Sequence, residues 1–99
     1  MNTGKKNKLA VQVASLGLPP LRADDGLVEL SVQEYPAKWR RVIENYAADR
    51  IPNVGDEIKL DKGDGETPFV VTEVNHLLIP RAKETIRAVL LLVKRAHDV

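Results

Sequence analysis

Three short apolar runs follow one another at hairpin spacing in the second half of the chain, Val54–Leu60, Phe69–Ile79 and Ile86–Val93. In the first run Ile58 and Leu60 alternate with charged residues, which is the two-residue period of a half-buried strand. The links between the runs are short and polar, with no crossover of helix length, so consecutive strands must pair antiparallel. The pattern therefore predicts a β-meander over the second half.

The first half contains two further runs with the same period, Leu9–Leu16 and Leu27–Gln33. The apolar faces of these predicted strands consist of Leu9, Val11 and Val13 in the first and of Val28, Leu30 and Val32 in the second. Gly17 and a pair of prolines end the first strand, because proline cannot donate to a ladder. Both segments are predicted as strands on this basis.

Residues 36–48 have a different period, and their apolar side chains are spaced by three and four residues. The stripe consists of Trp39, Val42, Ile43, Tyr46 and Ala47. This spacing predicts an amphipathic helix, with Pro36 in its first turn and Pro52 beyond its end. A strand through Trp39–Glu44 remains the competing prediction for this segment.

The elements then follow the order β-β-α-β-β-β, which predicts an α+β domain that is mostly antiparallel β. We expect five short strands in a small barrel or a curled sheet, with one amphipathic helix packed against them. Whether the sheet closes into a barrel is left open by the sequence. Residues 1–7 are small, polar and basic and predict a disordered leader, while residues 8–99 predict a single small domain.

Composition narrows the classes of function without selecting one. The chain has 99 residues, a formal net charge of +1 and no cysteine. Disulfide frameworks and thiolate metal sites are therefore excluded, and the lack of cysteine fits a cytoplasmic protein. Its longest apolar run, Ala88–Val93, is far shorter than the roughly 18 residues that a membrane span requires. We expect a cytoplasmic protein that does not interact with a membrane.

The sequence offers little for catalysis. His76 is the one histidine inside a predicted strand, and Glu73 lies three residues away, on the opposite face of that strand. Residues 61–66 resemble a calcium loop in composition, but glycines occupy two of the required ligand positions. No nucleophile or phosphate-binding motif is present. We predict no enzyme activity, no cofactor and no metal site.

Strand Ile86–Val93 suggests a binding role, because it is apolar on both faces after Ala88. A strand with one solvated face should alternate, so the second face needs a cover. The helix, the other wall of a barrel, a partner protein or a second copy of the chain could provide it. We therefore predict a non-enzymatic binding or adaptor domain that mediates protein–protein interaction, self-association included. The predicted contact residues are Trp39, Arg40, Arg41, Leu90, Leu91 and Leu92.

The alternative prediction is a small β-barrel that binds nucleic acid through a basic patch around Trp39. Its predicted contact residues are Lys38, Arg40, Arg41, Arg81 and Lys83. Such barrels combine cations with exposed aromatic rings on which bases stack. Here Trp39 and Tyr46 fall on the apolar stripe, where core packing also accounts for them. The sequence pI near 8.0 is lower than is usual for this class.

Overall fold

The computed structural model describes residues 11–23, 26–36, 39–61, 63 and 65–96, so the predicted leader at 1–7 lies outside the described residues. Five strands form one sheet in the order β2-β1-β5-β4-β3. The strands are β1 Leu27–Glu34, β2 Arg40–Ala47, β3 Glu57–Asp61, β4 Glu66–Arg81 and β5 Glu84–Arg95. Residues 11–15 are helical (α1), and Ala48–Arg50 form a 3₁₀ turn after β2. The predicted α+β class with a small curled five-stranded sheet is confirmed.

The predicted meander in the second half is also confirmed, because β3 pairs with β4 and β4 with β5, both antiparallel. The two halves of the chain join where β1 pairs with β5 in parallel, with Leu30 opposite Val89. Strand β2 then pairs antiparallel with β1 and forms one edge of the sheet. The sheet is therefore mixed, with one parallel pair at its centre.

The sheet curls into a half-barrel, and its concave side, called the inner face here, holds the core. The core consists of Val28, Leu30, Val32, Phe69, Val71, Val89, Leu91 and Val93. These residues come from β1, β4 and β5, and the registers place them on the same side of the sheet. Partly buried side chains of β2 and β3, such as Ile43 and Ile58, extend the core toward both edges.

The helix predicted over residues 36–48 is wrong, because β2 occupies Arg40–Ala47. A bulge explains the misleading spacing. The β1–β2 register shifts between Val28 and Leu30, and Asn45 has a φ of 58° at this point of β2. The bulge lets Ile43 and Tyr46 both pack on the inner face although they are three residues apart. The competing prediction of a strand through Trp39–Glu44 describes this segment better.

The strand predicted over Leu9–Leu16 is also wrong, because residues 11–15 are helical. Val13 is buried, whereas Val11 and Leu16 are both 66% exposed. Of these three apolar side chains, Val13 alone packs into the protein. Gly17 ends α1 with a φ of 72°, and the Leu18 amide donates to the carbonyl of Val13 at 3.1 Å. This is the geometry of a glycine-terminated helix.

Candidate functional site

Strand β5 has two apolar faces, and only one of them belongs to the core. Val89, Leu91 and Val93 lie on the inner face and are almost fully buried. The alternating positions on the opposite, outer face are Ile86, Ala88, Leu90 and Leu92. None of these outer positions carries a polar side chain. The sequence-based observation that β5 is apolar on both faces therefore corresponds to a real outer face.

Neighbouring strands continue this outer face. Leu90 lies between Ser31 of β1 and Asn75 of β4, and Ala88 lies beside Leu77. Leu77 is 44% exposed, and Val42 of edge strand β2 is 48% exposed. We call the following residues the outer apolar surface: Val42, Leu77, Ile79, Ile86, Ala88, Leu90 and Leu92. Its residues belong to three strands, β2, β4 and β5.

Part of this surface is already buried within the protein. Ile86 and Ala88 are only 4% and 5% exposed, while Leu90 and Leu92 keep an intermediate exposure. The most exposed members, Leu77 and Val42, lie on β4 and β2, on either side of β5. The exposed part of this surface is therefore Leu90 and Leu92 on β5, Leu77 on β4 and Val42 on β2, with polar residues such as Ser31 and Asn75 between them.

Charged side chains around the outer apolar surface are tied to neighbours. Arg40 donates to the hydroxyl of Ser31 at 3.2 Å. At the other end of the sheet Arg81 forms an ion pair with Glu29 at 3.2 Å. The two arginines lie toward opposite ends of the surface, while their partners Ser31 and Glu29 lie beside Leu90 and Ala88.

The predicted contact residue Trp39 packs against the core. Its ring stacks on Phe69, with centroids 5.9 Å apart and planes inclined by 3°. The Arg41 guanidinium lies 5.8 Å from the centroid of the Trp39 ring and donates to the carbonyl of Asp61. Trp39 and Arg41 thus link edge strand β2 to β3 and β4 across the opening of the half-barrel.

The other predicted contacts divide between the two faces. Leu91 is fully buried on the inner face, so its side chain cannot contact a partner. Leu90 and Leu92 are on the outer face, and so is Arg40, since it is the direct partner of Gln33 on β1. The structure thus brings Leu90, Leu92 and Arg40 together and separates them from Trp39, Arg41 and Leu91.

The cations of the nucleic-acid alternative do not form one patch. Arg40 aligns with Leu92 through Gln33, while Arg81 pairs with Glu84 at the far end of β5. Eight residues of strand correspond to about 26 Å. Lys83 lies exposed in the β4–β5 turn, near Arg81 and not near Arg40. Lys38 lies outside the described residues.

His76 is exposed on β4 and lines a shallow depression with Gln12 of α1 and Leu78. In the part of the chain that the structure describes, no group of three or more histidine, aspartate or glutamate side chains is placed to hold a metal ion. The depression is lined largely by apolar residues, and Glu73 does not line it.

One feature of the surface was missed from the sequence, namely the length difference between β3 and β4. Strand β4 has 16 residues and β3 has five, so β3 covers only the first part of β4. The signal was available, because the run Phe69–Ile79 is longer than the run Val54–Leu60. A longer strand beside a shorter neighbour must leave part of its edge without a strand partner.

No protein-family model, curated protein or solved structure matches this chain. Among the residues that the structure describes, no helix combines the length and the apolar character needed to cross a membrane. The surfaces of the molecule are therefore the only basis for assigning a function.

Proposed function

We propose that this chain is a non-enzymatic, cytoplasmic binding module that contacts another protein through the outer apolar surface. One observation carries the proposal. Four successive outward positions of β5 are apolar, and Leu90 and Leu92 among them retain solvent exposure. The outward side chains of a solvated sheet are usually polar, and a contiguous exposed apolar area marks an interaction site.

The free energy gained by burying apolar side chains indicates how many of them the partner must cover. Full burial of one leucine or valine side chain is worth about 1.5–3 kcal/mol. Association costs an estimated 4–15 kcal/mol in lost freedom of motion. One leucine cannot offset this cost, so the partner has to cover Leu77, Leu90 and Leu92 together. A partner with a complementary apolar face meets this requirement.

The polar groups at the ends of the surface support a protein partner over a nucleic acid. The Arg40 side chain bonds to Ser31 and Arg81 pairs with Glu29, and the two arginines are far apart along the sheet. Phosphate binding needs several cations along one path. The Trp39 ring is stacked on Phe69, so one face of it is already occupied.

The test replaces one outer leucine and one distant surface charge. Immobilised wild-type protein, Leu92→Glu and Lys59→Gln are each incubated with lysate of the source cells, with and without nuclease and at two salt concentrations. Both substitutions change the net charge by one unit in the same direction. Lys59 lies exposed on β3, outside the outer apolar surface.

We expect a protein that the wild type and Lys59→Gln retain equally and that Leu92→Glu retains about tenfold less, a loss of about 1.4 kcal/mol. Its retention should not fall steeply with salt, because apolar burial is not screened. Equal retention by all three proteins would contradict the proposal. Retention that disappears with nuclease or added salt would instead support the nucleic-acid alternative.

A further inference from the structure

Strand β4 has a free edge beyond the end of β3. The ladder between β3 and β4 covers Glu66–Val70, and Val71 makes the last contacts, with the backbone of Gly55 and Asp56. From residue 72 to residue 81, β5 is the one strand among the described residues that pairs with β4. A free edge of this kind is a template for pairing with another strand.

Backbone bonds of β5 show which residues face this edge. Thr85 bonds through its N–H and C=O to Pro20 and Arg22, and the Val93 carbonyl accepts from Tyr35, so odd-numbered residues of β5 face β1. Even-numbered residues therefore face β4, where their direct partners are Asn75, Leu77 and Ile79. The backbone groups of the β4 residues between these partners must then face away from β5.

Val74, His76 and Leu78 thus present their backbone N–H and C=O groups at the free edge. Within the described residues, no backbone hydrogen bond from another segment reaches these three. Pro80 follows in the same alternation and has no N–H to donate, so the part of this edge that can both donate and accept is Val74–Leu78. A bulge near Thr72 limits the other end of this edge.

We propose that a second copy of this chain pairs with this edge, antiparallel, with Leu77 opposite Leu77 of the other copy. Charge complementarity selects this partner and register. Glu73 and Arg81 lie four residues on either side of Leu77, so each Glu73 lies opposite Arg81 of the other copy. The Arg81 guanidinium lies across β5 on Glu29, so it has to turn toward the free edge to reach Glu73 of the other copy, and the 51% exposure of its side chain leaves room for this turn.

The pairing also brings the most exposed leucine of β4 to the centre of the contact. Leu77 is 44% exposed, and its backbone faces β5, so the two copies would meet there as a non-hydrogen-bonded pair. Such pairs have the shorter Cα–Cα separation, about 4.5 Å. Shifting the register by one residue in each copy would centre it on His76 and remove both Glu73–Arg81 contacts.

Pairing at this edge joins two five-stranded sheets into one and makes their outer apolar surfaces continuous. The inference deepens the proposed function. It rests on that proposal in one respect only, namely that the partner is a protein. The two can fail separately, because Leu92 lies on β5 and away from the free edge. Leu92→Glu should therefore leave the dimer intact while it weakens contacts made by the outer apolar surface.

The absence of cysteine from the chain permits a direct test of register. Leu77→Cys introduces a single thiol at the symmetric position, where the Cα–Cα distance suits a disulfide. Lys59→Cys is the control, since Lys59 is exposed on β3 opposite Pro68, which lies nine residues along β4 from Leu77. Under mild oxidation we expect disulfide-linked dimer from Leu77→Cys at a yield about tenfold above the control, a selectivity of about 1.4 kcal/mol.

A mixture of Asn75→Cys with Ile79→Cys should also crosslink, because these positions are opposite each other in the proposed register. In a mixture of Asn75→Cys with Leu77→Cys, one of which carries an affinity tag so that heterodimers are distinguished, we expect the Leu77→Cys homodimer and no heterodimer. The reverse result would overturn the register in favour of the one centred on His76. Equal yields from Leu77→Cys and Lys59→Cys would overturn pairing at this edge.

Sedimentation of the wild type provides the second measurement. We expect a concentration-dependent species of twice the 11.0 kDa chain mass. His76→Pro removes an edge-facing N–H without removing a bond to β5, so it should leave a folded monomer. A wild type that stays monomeric at all concentrations, or a His76→Pro variant that is folded and dimeric, would contradict the proposal.

Discussion

Thr85 shows how one buried polar residue holds two parts of the chain together. It is fully buried, and its hydroxyl donates to the carbonyl of Pro19 at 2.6 Å. Its N–H donates to the Pro20 carbonyl, and its C=O accepts from Arg22. These three bonds attach the segment after α1 to the start of β5. From the sequence Thr85 was only part of a polar connection, because the partner segment is more than 60 residues away.

Replacing Thr85 with valine tests this attachment with little change of volume. Thr85→Val leaves the partly buried Pro19 carbonyl without its hydroxyl donor, so the free energy of unfolding should fall by about 1–3 kcal/mol. Urea unfolding followed by the fluorescence of Trp39, the single tryptophan, measures the change. Thr67→Val is the control at a partly exposed position and should stay within about 0.5 kcal/mol of wild type. Equal losses in both variants would contradict the role of the hydroxyl bond.

At the scale of elements, the predictions succeeded where one local period decides the structure. Strands β1 and β3 were predicted because each alternates over its length, β4 and β5 because they are short apolar runs, and the short links between the runs dictate the meander. Strand β2 was missed because its bulge at Asn45 gives inward-facing side chains a spacing that resembles a helix. Local spacing cannot distinguish the two, since the bulge depends on pairing with β1.

Helix α1 was missed for a different reason. Val11 and Val13 alternate with polar or small residues, which favoured a strand, yet Gly17 followed by two prolines is the usual sequence of a helix end. The parallel pairing of β1 with β5 could not be predicted either. It depends on contacts between segments about 60 residues apart. The outer location of Leu90 and Leu92 follows from this pairing.

The turn between β4 and β5 is tighter than the sequence indicated. The strands reach Arg81 and Glu84, so Ala82 and Lys83 alone form the turn, and Ala82 has a φ of 49°. A non-glycine residue in this region is strained by about 1–2 kcal/mol. This strain therefore lies in the turn of the β4–β5 hairpin.

Ala82→Gly should therefore raise the free energy of unfolding by about 0.5–1 kcal/mol, after the entropic cost of glycine is subtracted. Ala47→Gly is the matched control, because Ala47 has an extended φ of −65° and should lose about 0.5–1 kcal/mol. Thermal or urea unfolding measures both. Changes of the same sign in the two variants would contradict the assigned turn conformation.

At the scale of the whole molecule, the curled sheet uses its two faces differently. The inner face is filled by the core and is closed toward β3 by the Trp39–Phe69 stack and by Arg41. The outer face is apolar along β5 and adjoins the free edge of β4. A protein partner on the outer face and a second copy at the edge could therefore bind at the same time.

The proposed function requires β5 to have one core face and one face available for contact. The most direct test is the free energy of unfolding of Leu91→Glu and Leu92→Glu, measured by urea titration with Trp39 fluorescence. A charge at Leu91 enters the core and should cost about 4–5 kcal/mol or more, while the neighbouring Leu92→Glu should cost about 1 kcal/mol or less. Equal losses, or a larger loss for Leu92→Glu, would contradict the assignment of faces on β5.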